Sequence, residues 1–354
     1  MESNIIFSQQ AETELEKIVS RFPSGKVFLL TEEIPEKVCL PQIQSLLDKY
    51  GIRKIVIGGS ETNKSIRSVE LVWEFLSKSG ADRKSLLINL GGGMLTDLGG
   101  FAASTFKRGI VFVNIPTTLL AQVDASLGGK TGINFNGLKN EIGVFREPDS
   151  VLINTGFLKT IDKKNFLSGY AEMIKHGLIK SPKHWKELQE YDLDHIDYEA
   201  LQEIIAHSVA VKDWHVQNDP TEKNVRKALN FGHTAGHAFE SYALHRNRPI
   251  LHGYAVVYGM IVELYLSCIK TGFDEKEMSF ISGWLLNQYG KFEITGNDYE
   301  VLYELMTHDK KNEAGRINFT LLSKIGQVKI NQNCSKELIF EAFDAYKKIE
   351  KINT

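Results

Sequence analysis

The chain has 354 residues, 42% hydrophobic and 24% charged, a composition typical of a soluble globular protein of about two domains. With 42 lysines and arginines against 44 aspartates and glutamates, the net charge is −2, so no overall positive field recruits nucleic acid or a membrane surface. Three cysteines far apart in sequence exclude a disulfide framework and indicate a reducing cytoplasm. We find no secretory signal, and no apolar run reaches the roughly 18 residues of a membrane span.

The first 160 residues alternate strand-like and helix-like segments. Short apolar runs predict strands, and amphipathic runs that end at glycine predict helices. The predicted strands are KVFLLT (26–31), KIVIGG (54–59), SLLINLGGG (85–93) and IVFVNIPTT (110–118), and the predicted helices are PQIQSLLDKYG (41–51) and NKSIRSVELVWEFLSKSG (63–80). The alternation predicts an α/β domain over 1–160 with a Rossmann-like, mostly parallel sheet.

Helical spacing dominates after residue 160. The predicted helices cover 163–180, 198–217, 224–243, 252–271, 276–289 and 335–351. The exception is RINFTLLSKIGQVKI (316–330), which predicts a hairpin. We therefore expect a second, mainly helical domain over 161–354.

A glycine-rich segment, INLGGGMLTDLGG (88–100), ends the third predicted strand, and a helix is predicted to start near Thr96 or Asp97. Glycines let a phosphate approach backbone N–H groups, and a helix N-terminus favours an anion. The segment suits a dinucleotide pyrophosphate but does not match GxGxxG, because Thr96 replaces the third glycine. A plain tight turn between strand and helix is an equally good interpretation.

The segment VDASLGGKTGINFNGLKNEIG (123–143) is rich in glycine, asparagine and lysine and predicts a long irregular loop. Its Lys130, Lys139 and Asn140 could converge on a phosphate as two point charges and an amide donor. The spacing is not that of a Walker A loop. Long irregular loops often carry function, and a solvated surface loop is the alternative.

The segment SGYAEMIKHGLIKS (168–181) places Glu172, Lys175 and His176 at positions i, i+3 and i+4 of a predicted helix. A carboxylate on an otherwise apolar helical stripe needs a cation or a metal as its partner. A Glu–Lys pair on the protein surface is the alternative.

Three histidines, His233, His237 and His252, cluster in sequence around LNFGHTAGHA (229–238). The i, i+4 spacing of His233 and His237 would let two imidazoles share one metal, although Thr234 stands where HExxH helices have glutamate. The spacing does not decide which two histidines bind. The candidates for an oxygen ligand are Glu172 first, then Asp97, Asp124 and Asp213. Polar segments contain His184, His195, His215 and His308, most of which we expect to be solvated.

Five segments, taken together, resemble the 3-dehydroquinate synthase family of sugar phosphate cyclases. They are GGGMLTDLGGFAASTFKRG, IPTTLLAQVDASLGGKTGIN, GYAEMIKHGLI, LNFGHTAGHAFE and LHGYAVVYGM. The resemblance extends from about residue 25 to 347. It implies conversion of 3-deoxy-D-arabino-heptulosonate 7-phosphate to 3-dehydroquinate and phosphate, a step of the shikimate pathway. The implied route is transient oxidation by NAD, phosphate elimination, re-reduction and intramolecular aldol closure.

The resemblance also implies roles for individual residues. The metal, zinc or cobalt, would be held by Glu172, His233 and His252, and His237 would face the substrate as an acid, base or hydrogen-bonding group. The implied substrate contacts are Asp124, Lys130, Asn140, Lys175, Lys212, Arg226 and Asn230. The implied NAD contacts are Gly92, Gly93, Asp97, Thr117, Thr118, Glu61, Lys64, Lys130 and Lys139. Arg108 would reach phosphate in the neighbouring subunit of a homodimer, and one of Lys310 and Lys311 would also contact phosphate.

Two positions depart from the family pattern. Tyr254 stands where many relatives carry glutamate, which could alter the orientation of His252. A serine in GGSETNKS separates the glycines from Glu61, so the adenine end of NAD is less well defined. The alternative functions are another NAD- and zinc-dependent sugar phosphate cyclase, a metal-dependent polyol dehydrogenase, and a catalytically silent NAD-binding protein.

Overall fold

The computed structural model describes residues 4–136, 138–307 and 317–350, and the chain divides into two compact units. Unit 1 comprises the described residues of Met1–Asp162 and His195–Val209. Unit 2 comprises those of Lys163–Asp194 and Ala210–Thr354. The segment 195–209, which follows the predicted boundary, therefore groups with unit 1, and the division at residue 160 stays a prediction.

Unit 1 is built on a parallel sheet. Its strands, among the described residues, are β1 (Asn4–Phe7), β2 (Val27–Glu32), β3 (Arg53–Ile57), β4 (Leu86–Gly91), β5 (Val111–Pro116), β6 (Lys130–Phe135), β7 (Leu138–Phe145) and β8 (Ser150–Ile153). The main sheet has the order β1-β8-β5-β4-β2-β3, with parallel neighbours throughout. The predicted Rossmann-like parallel sheet is confirmed, and β1 and β8 are strands that the sequence analysis missed.

Helices cover both faces of this sheet. They are α1 (Ala11–Val19), α2 (Glu33–Val38), α3 (Gln44–Tyr50), α4 (Ile66–Lys78) and α5 (Gly93–Thr105). Alternate residues of β2 enter different cores: Leu29 packs in the cluster that contains α1 and α3, and Leu30 packs in the cluster that contains α4 and α5. Burial on both faces explains why the strands of this sheet are continuous apolar runs.

The helix after the glycine-rich segment begins earlier than predicted. Its N-cap is Gly92, and the N–H of Thr96 already donates to the carbonyl of Gly92 at 3.0 Å. The predicted start near Thr96 or Asp97 is therefore wrong. The second and third glycines of the segment form the helix start itself instead of a loop before it.

The predicted long loop at 123–143 is also wrong. One turn of π-helix, Ala121–Ala125, is followed by the antiparallel hairpin of β6 and β7. The eight residues of β7 are all exposed, so this strand lacks the alternation of buried and exposed positions that identifies a strand in sequence.

Unit 2 is mainly helical, as predicted. Its helices in the described segments are α6 (Lys163–Lys180), α7 (Pro182–Glu190), the last part of α8 (Tyr198–Asn218), α9 (His233–His245), α10 (His252–Thr271), α11 (Glu275–Tyr289), α12 (Tyr299–Thr307) and α13 (Lys336–Lys348). The predicted hairpin is present as β9 (Phe319–Lys324) and β10 (Gln327–Gln332). The helix predicted over 224–243 is instead a 3₁₀ helix, Val225–Asn230, followed by α9.

The helix α10 forms much of the core of unit 2. By length and composition it could cross a membrane, contrary to the expectation that no segment is long and apolar enough. However, 72% of its most apolar stretch is buried inside the protein, as in the core helix of a soluble protein.

Candidate active site

Three helices of unit 2 bring Glu172, His233 and His252 together. A carboxylate oxygen of Glu172 lies 3.6 Å from Nε2 of His233 and 3.3 Å from Nε2 of His252. One ligand atom from each residue lies within 4.8 Å of the other two. Glu172 lies on α6, whereas His233 and His252 are the first residues of α9 and α10. These residues, distant in sequence, therefore form one potential metal site.

Close backbone packing explains how the helices approach each other. A Cβ added to Gly259, on α10, would lie 2.0 Å from the carbonyl oxygen of Gly232, the N-cap of α9. A Cβ on Gly253, next to His252, would lie 2.0 Å from the carbonyl oxygen of Ser168, on α6. Real Cβ atoms do not approach so closely. Glycine at these two contacts therefore lets α6, α9 and α10 place their ligands in one small volume.

His237 lies beside the three candidate ligands. Its ring centroid is 5.4 Å from that of His233 and 6.1 Å from that of His252. In the described part of the chain, the ligand atoms that gather around Glu172 and His233 come from His252 and not from His237. The i, i+4 histidine pair therefore shares a helix face, as its spacing predicts, and His233 is its member in the candidate ligand group.

Glu240 lies close to the other ring nitrogen of His252. Its Oε2 is 3.7 Å from Nδ1 of His252, and the ring of Tyr254 packs on that of Tyr289 at 5.2 Å. Burial alone would lower the pKa of His252, but the carboxylates of Glu172 and Glu240 raise it to about 10. A carboxylate thus lies close enough to orient His252, the interaction that the expected departure at Tyr254 put in question.

The donor set fits a catalytic divalent metal. One carboxylate and two imidazoles are a known ligand set for catalytic zinc, which keeps at least one further position open for water or substrate. Lys175, one helical turn after Glu172, donates to Oε2 of Glu172. Both side chains are almost fully buried, so the alternative of a Glu–Lys pair on the protein surface is wrong.

The remaining predicted substrate contacts of unit 2 are mostly buried. Lys175, Lys212 and Arg226 are 1%, 6% and 2% exposed. A guanidinium nitrogen of Arg226 donates to the carbonyl of Pro220 at 2.9 Å, and the side-chain amide of Asn230 donates to Glu222 at 3.0 Å. These contacts hold Arg226 and Asn230 in defined orientations.

The carboxyl edge of the sheet in unit 1 brings the predicted glycine and threonine residues together. The N–H of Thr117 donates to the carbonyl of Gly91 at 2.9 Å, and a Cβ on Gly92 would lie 3.3 Å from the methyl group of Thr118. Next to them, a Cβ on Gly93 would lie 2.8 Å from Ala125, in the π-helical turn that contains Asp124. The ligand crevice of open α/β sheets lies at this edge.

Glu32 is a residue of this edge that the sequence analysis missed. It ends β2, is 9% exposed, and accepts a hydrogen bond from the N–H of Gly92 at 3.2 Å. Burial raises its pKa, and the bond from Gly92 partly offsets that shift. The signal in the sequence was an acidic residue at the end of a buried strand.

Polar side chains connect four other predicted residues of unit 1. Lys64 donates to Asp97 at 2.6 Å and also to Asn140. The backbone N–H of Asn140 donates to Asn134, whose amide donates to Glu61 at 2.8 Å. Glu61, Lys64, Asp97 and Asn140 therefore belong to one hydrogen-bonded network.

Three predicted cations of unit 1 lie at its surface. Arg108, Lys130 and Lys139 are exposed, and the last two lie on the hairpin strands β6 and β7. Arg108 has φ 70° and Lys107 has φ 49°, both in the left-handed region. Lys310, Lys311 and His308 lie outside the described residues.

Two of the alternative oxygen ligands, Asp97 and Asp213, and the other histidines have different surroundings. Asp97 pairs with Lys64, and Asp213 accepts a hydrogen bond from Gln217 at 2.7 Å. The expectation that most of these histidines are solvated fails for His184 and His215, since both are 3% exposed, whereas His195 is exposed. Nδ1 of His215 lies 2.7 Å from the carbonyl oxygen of Val211, and burial lowers the pKa of this histidine.

Sequence comparison with known proteins identifies relatives of this chain. A profile of the 3-dehydroquinate synthase N-terminal domain matches residues 54–168, and one of the C-terminal domain matches residues 169–312. A 3-dehydroquinate synthase from Parabacteroides distasonis is 48% identical over 346 residues, which span 98% of this chain and 98% of that protein.

Solved structures show the same fold at lower identity. The 2-epi-5-epi-valiolone synthase of Streptomyces hygroscopicus, with NAD⁺ and Zn²⁺ bound, has a TM-score of 0.84 at 22% identity, over 98% of this chain and 97% of that one. A 2-deoxy-scyllo-inosose synthase complexed with carbaglucose-6-phosphate, NAD⁺ and Co²⁺ has a TM-score of 0.82 at 24% identity, over 96% and 95%. Because the two profiles cover most of the sequence and the Parabacteroides relative aligns over nearly all of it, this chain belongs to the 3-dehydroquinate synthase family.

Proposed function

We propose that this chain converts 3-deoxy-D-arabino-heptulosonate 7-phosphate to 3-dehydroquinate and phosphate, using Zn²⁺ or Co²⁺ and NAD. The observation that carries the proposal is the convergence of Glu172, His233 and His252 from three helices, with ligand atoms within 4.8 Å of one another. The family resemblance selects these residues from three separate segments of the sequence. Nothing in the spacing of those segments requires their side chains to meet.

Glu172, His233 and His252 would hold the metal through one carboxylate oxygen and two imidazole nitrogens. When bound, the metal polarises neighbouring substrate hydroxyls and eases the loss of a proton. His237, whose ring lies 5.4 Å from that of His233, would accept or donate a proton at the substrate. Its place on the same helix face aims it at the same small volume.

The carboxyl edge of the sheet in unit 1 would bind NAD. When bound, NAD accepts a hydride from a substrate carbon and returns it later, so that it is not consumed. Gly93, at the start of α5, would offer its backbone N–H to the pyrophosphate. Gly92, whose N–H donates to Glu32, would let the phosphate approach closely, with Thr117 and Thr118 beside it. Glu61, Lys64 and Asp97 would lie along the rest of the cofactor.

The cations fit a substrate that carries a phosphate and a carboxylate. Lys175, Lys212 and Arg226 are largely removed from water, where charge-assisted hydrogen bonds to an anion are stronger than in solution. We assign substrate contacts to Asp124, Lys130, Asn140 and Asn230 as well, and Lys139 to the cofactor.

We further propose a cytoplasmic homodimer in which Arg108 completes the site of the partner subunit. Left-handed backbone at two successive residues costs of order 1–3 kcal/mol each and persists chiefly at functional positions. The hairpin of β6 and β7 exposes Leu138 and Phe145 by 54% and 64%, an apolar surface that a second copy would cover. Free cysteines fit the reducing cytoplasm.

Mixed dimers test the role of Arg108. Neither Arg108→Ala nor His233→Ala alone should be active. If Arg108 acts in the partner's site, dimers of one subunit of each kind contain one complete site and recover activity. No recovery in dimers confirmed by sedimentation would place Arg108 in its own subunit's site, and full activity of Arg108→Ala alone would place it outside the reaction.

Phosphate release tests the function itself. Purified protein is incubated with the heptulosonate phosphate and with catalytic NAD, without NAD, or with a chelator followed by added zinc. We expect release that needs only substoichiometric NAD and recovers with zinc. Release from another sugar phosphate alone would identify a different cyclase, and a stoichiometric rise in NADH with a polyol would identify a dehydrogenase.

A further inference from the structure

Glu263, on α10, is a fully buried carboxylate at the N-terminus of α9. It accepts the N–H of Gly232 at 2.6 Å and the N–H of Ala235 at 3.2 Å. Gly232 is the N-cap residue of α9 and Ala235 lies in its first turn. These are the two donors that a capping box satisfies with side chains of the helix itself. Here one carboxylate from a neighbouring helix satisfies both.

The helix α9 cannot supply this cap from its own N-cap position. Gly232 has φ +78°, and a Cβ there would lie 2.4 Å from Cγ of Met260 and 2.8 Å from the carbonyl oxygen of Val256. A serine or aspartate cap therefore does not fit. The first N–H groups of a helix carry partial positive charge, which favours a carboxylate at this end. Glu263 thus provides both the hydrogen bonds and the negative charge.

Glu263 also connects two of the candidate metal ligands. His233 lies between Gly232 and Ala235, the two residues that Glu263 binds. His252 is the first residue of α10, and Glu263 lies about three turns further along the same helix. The helix that supplies His252 therefore also holds the turn that supplies His233.

We propose that Glu263 is a positioning residue of the metal centre, which fixes His233 relative to His252 without itself binding the metal. The inference rests on the proposed function, because it requires the metal centre. Without the carboxylate, the N–H groups of Gly232 and Ala235 need other acceptors, and the first turn of α9 shifts. The imidazole of His233 then leaves its position 3.6 Å from Glu172.

The test compares Glu263→Gln and Glu263→Ala with a matched control, Asp274→Ala. The Asp274 carboxylate accepts N–H groups of Lys276 and Glu277 at the start of α11, a helix that carries none of the proposed ligands. The measurements are the Zn²⁺ dissociation constant by chelator competition, the visible absorption of the Co²⁺-loaded protein, and the unfolding midpoint of the metal-free protein. The last measurement separates loss of stability from loss of metal affinity.

We expect Glu263→Gln to weaken Zn²⁺ binding about 10- to 100-fold and to change the Co²⁺ absorption, as loss of an orienting contact does. The control should lower the unfolding midpoint and leave the Zn²⁺ dissociation constant unchanged. Parent-like Zn²⁺ affinity and Co²⁺ absorption in Glu263→Gln would overturn the proposal. If Glu263→Ala does not fold, Glu263→Gln decides, because it keeps the shape and one acceptor oxygen.

The outcomes also separate this inference from the proposed function. A parent protein that binds neither Zn²⁺ nor Co²⁺ would overturn both together. A parent that binds metal, with a Glu263→Gln variant that binds equally well, would remove only the role of Glu263 and leave the proposed function in place.

Discussion

The candidate metal centre of unit 2 and the candidate NAD edge of unit 1 are held together in different ways. At the metal centre, backbone touches backbone, as where Gly253 meets Ser168. At the NAD edge, side chains bridge the elements, as where Lys64 joins Asp97 and Asn140. The packing at the metal centre leaves no room for an added atom. At the NAD edge, a substitution of one side chain removes only the contacts of that side chain.

This difference ranks the effects of substitutions. Protein interiors are packed as densely as organic crystals, so an extra atom between two helices must move a helix. Loss of one polar contact from a partly exposed network typically costs only about 1 kcal/mol. We therefore expect large, coupled losses of stability and metal affinity in unit 2, and smaller losses confined to NAD binding in unit 1.

The largest effect is expected for Glu172→Gln. The substitution removes a proposed ligand and leaves the buried ammonium of Lys175 without its carboxylate. Breaking a buried ion pair costs about 3–5 kcal/mol, and metal-dependent activity should be lost with it. Urea unfolding and a zinc titration measure the two losses separately.

A double variant and a surface pair serve as controls for Glu172→Gln. Glu172→Gln with Lys175→Met removes both charges, so it should recover stability but not zinc binding. Glu190→Gln breaks the exposed pair of Lys186 and Glu190 and should cost less than about 1 kcal/mol. Zinc binding retained by Glu172→Gln would contradict its role as a ligand.

The next effect is expected for Gly253→Ala. The new Cβ would lie 2.0 Å from the carbonyl oxygen of Ser168, so α10 and α6 must separate. We expect a loss of about 1–3 kcal/mol in the free energy of unfolding. We also expect a larger zinc dissociation constant, because His252 moves away from Glu172. Gly296→Ala is the control, since a Cβ there meets nothing within 4 Å. Parent-like zinc affinity in Gly253→Ala would show that this contact does not set the site.

The corresponding change in unit 1 is Lys64→Met. It removes the cation that joins Asp97 and Asn140 and keeps most of the side-chain volume. We expect NAD to bind about tenfold more weakly, which corresponds to about 1.4 kcal/mol, with zinc affinity unchanged. Lys78→Met, at the exposed end of α4, the helix that follows Lys64 in the chain, is the control. A loss of zinc affinity in Lys64→Met would contradict the expectation that substitutions at the NAD edge affect only NAD binding.

The sequence predicts the longer apolar strands and misses those that are short or exposed. The strands β2 and β4 are apolar throughout, because both faces of a parallel sheet are covered. The strand β1 has only four residues, too few to show a period, and β7 is exposed along its whole length. Gly92 and Gly93 suggested a loop, whereas the structure uses them as a helix start.

The spacing of residues also indicates a metal but not its complete ligand set, which came only from the family resemblance. The i, i+4 spacing shows that His233 and His237 share a face, which favours them as a pair. The structure groups His233 with His252 instead, because α9 and α10 touch at Gly232 and Gly259. Contacts between helices leave no periodic signal, which is also why Glu240 and Glu263 escaped the sequence analysis.

The smallest effect is expected for Asp219→Asn, in the segment that orients Arg226. Asp219 accepts N–H groups of Lys223, Asn224 and Arg226 at 3.0, 2.6 and 3.1 Å. Burial alone would raise its pKa, but these bonds and the charge of Arg226 lower the pKa below the usual 3.8. The folded state therefore binds this proton less readily than the unfolded state. Its stabilisation is present above the unfolded pKa and is lost as pH falls through the folded pKa.

Urea unfolding from about pH 7 to about pH 3 tests this dependence. Asp219→Asn should cost about 1 kcal/mol at neutral pH, and its difference from the parent should shrink below the unfolded pKa of about 4. Asp213→Asn, which loses the contact with Gln217 on helix α8, is the comparison variant and is measured over the same pH range. A constant difference for Asp219→Asn over the whole range would mean that the charge of Asp219 does not hold the segment. The orientation of Arg226 would then depend on its bond to Pro220 instead.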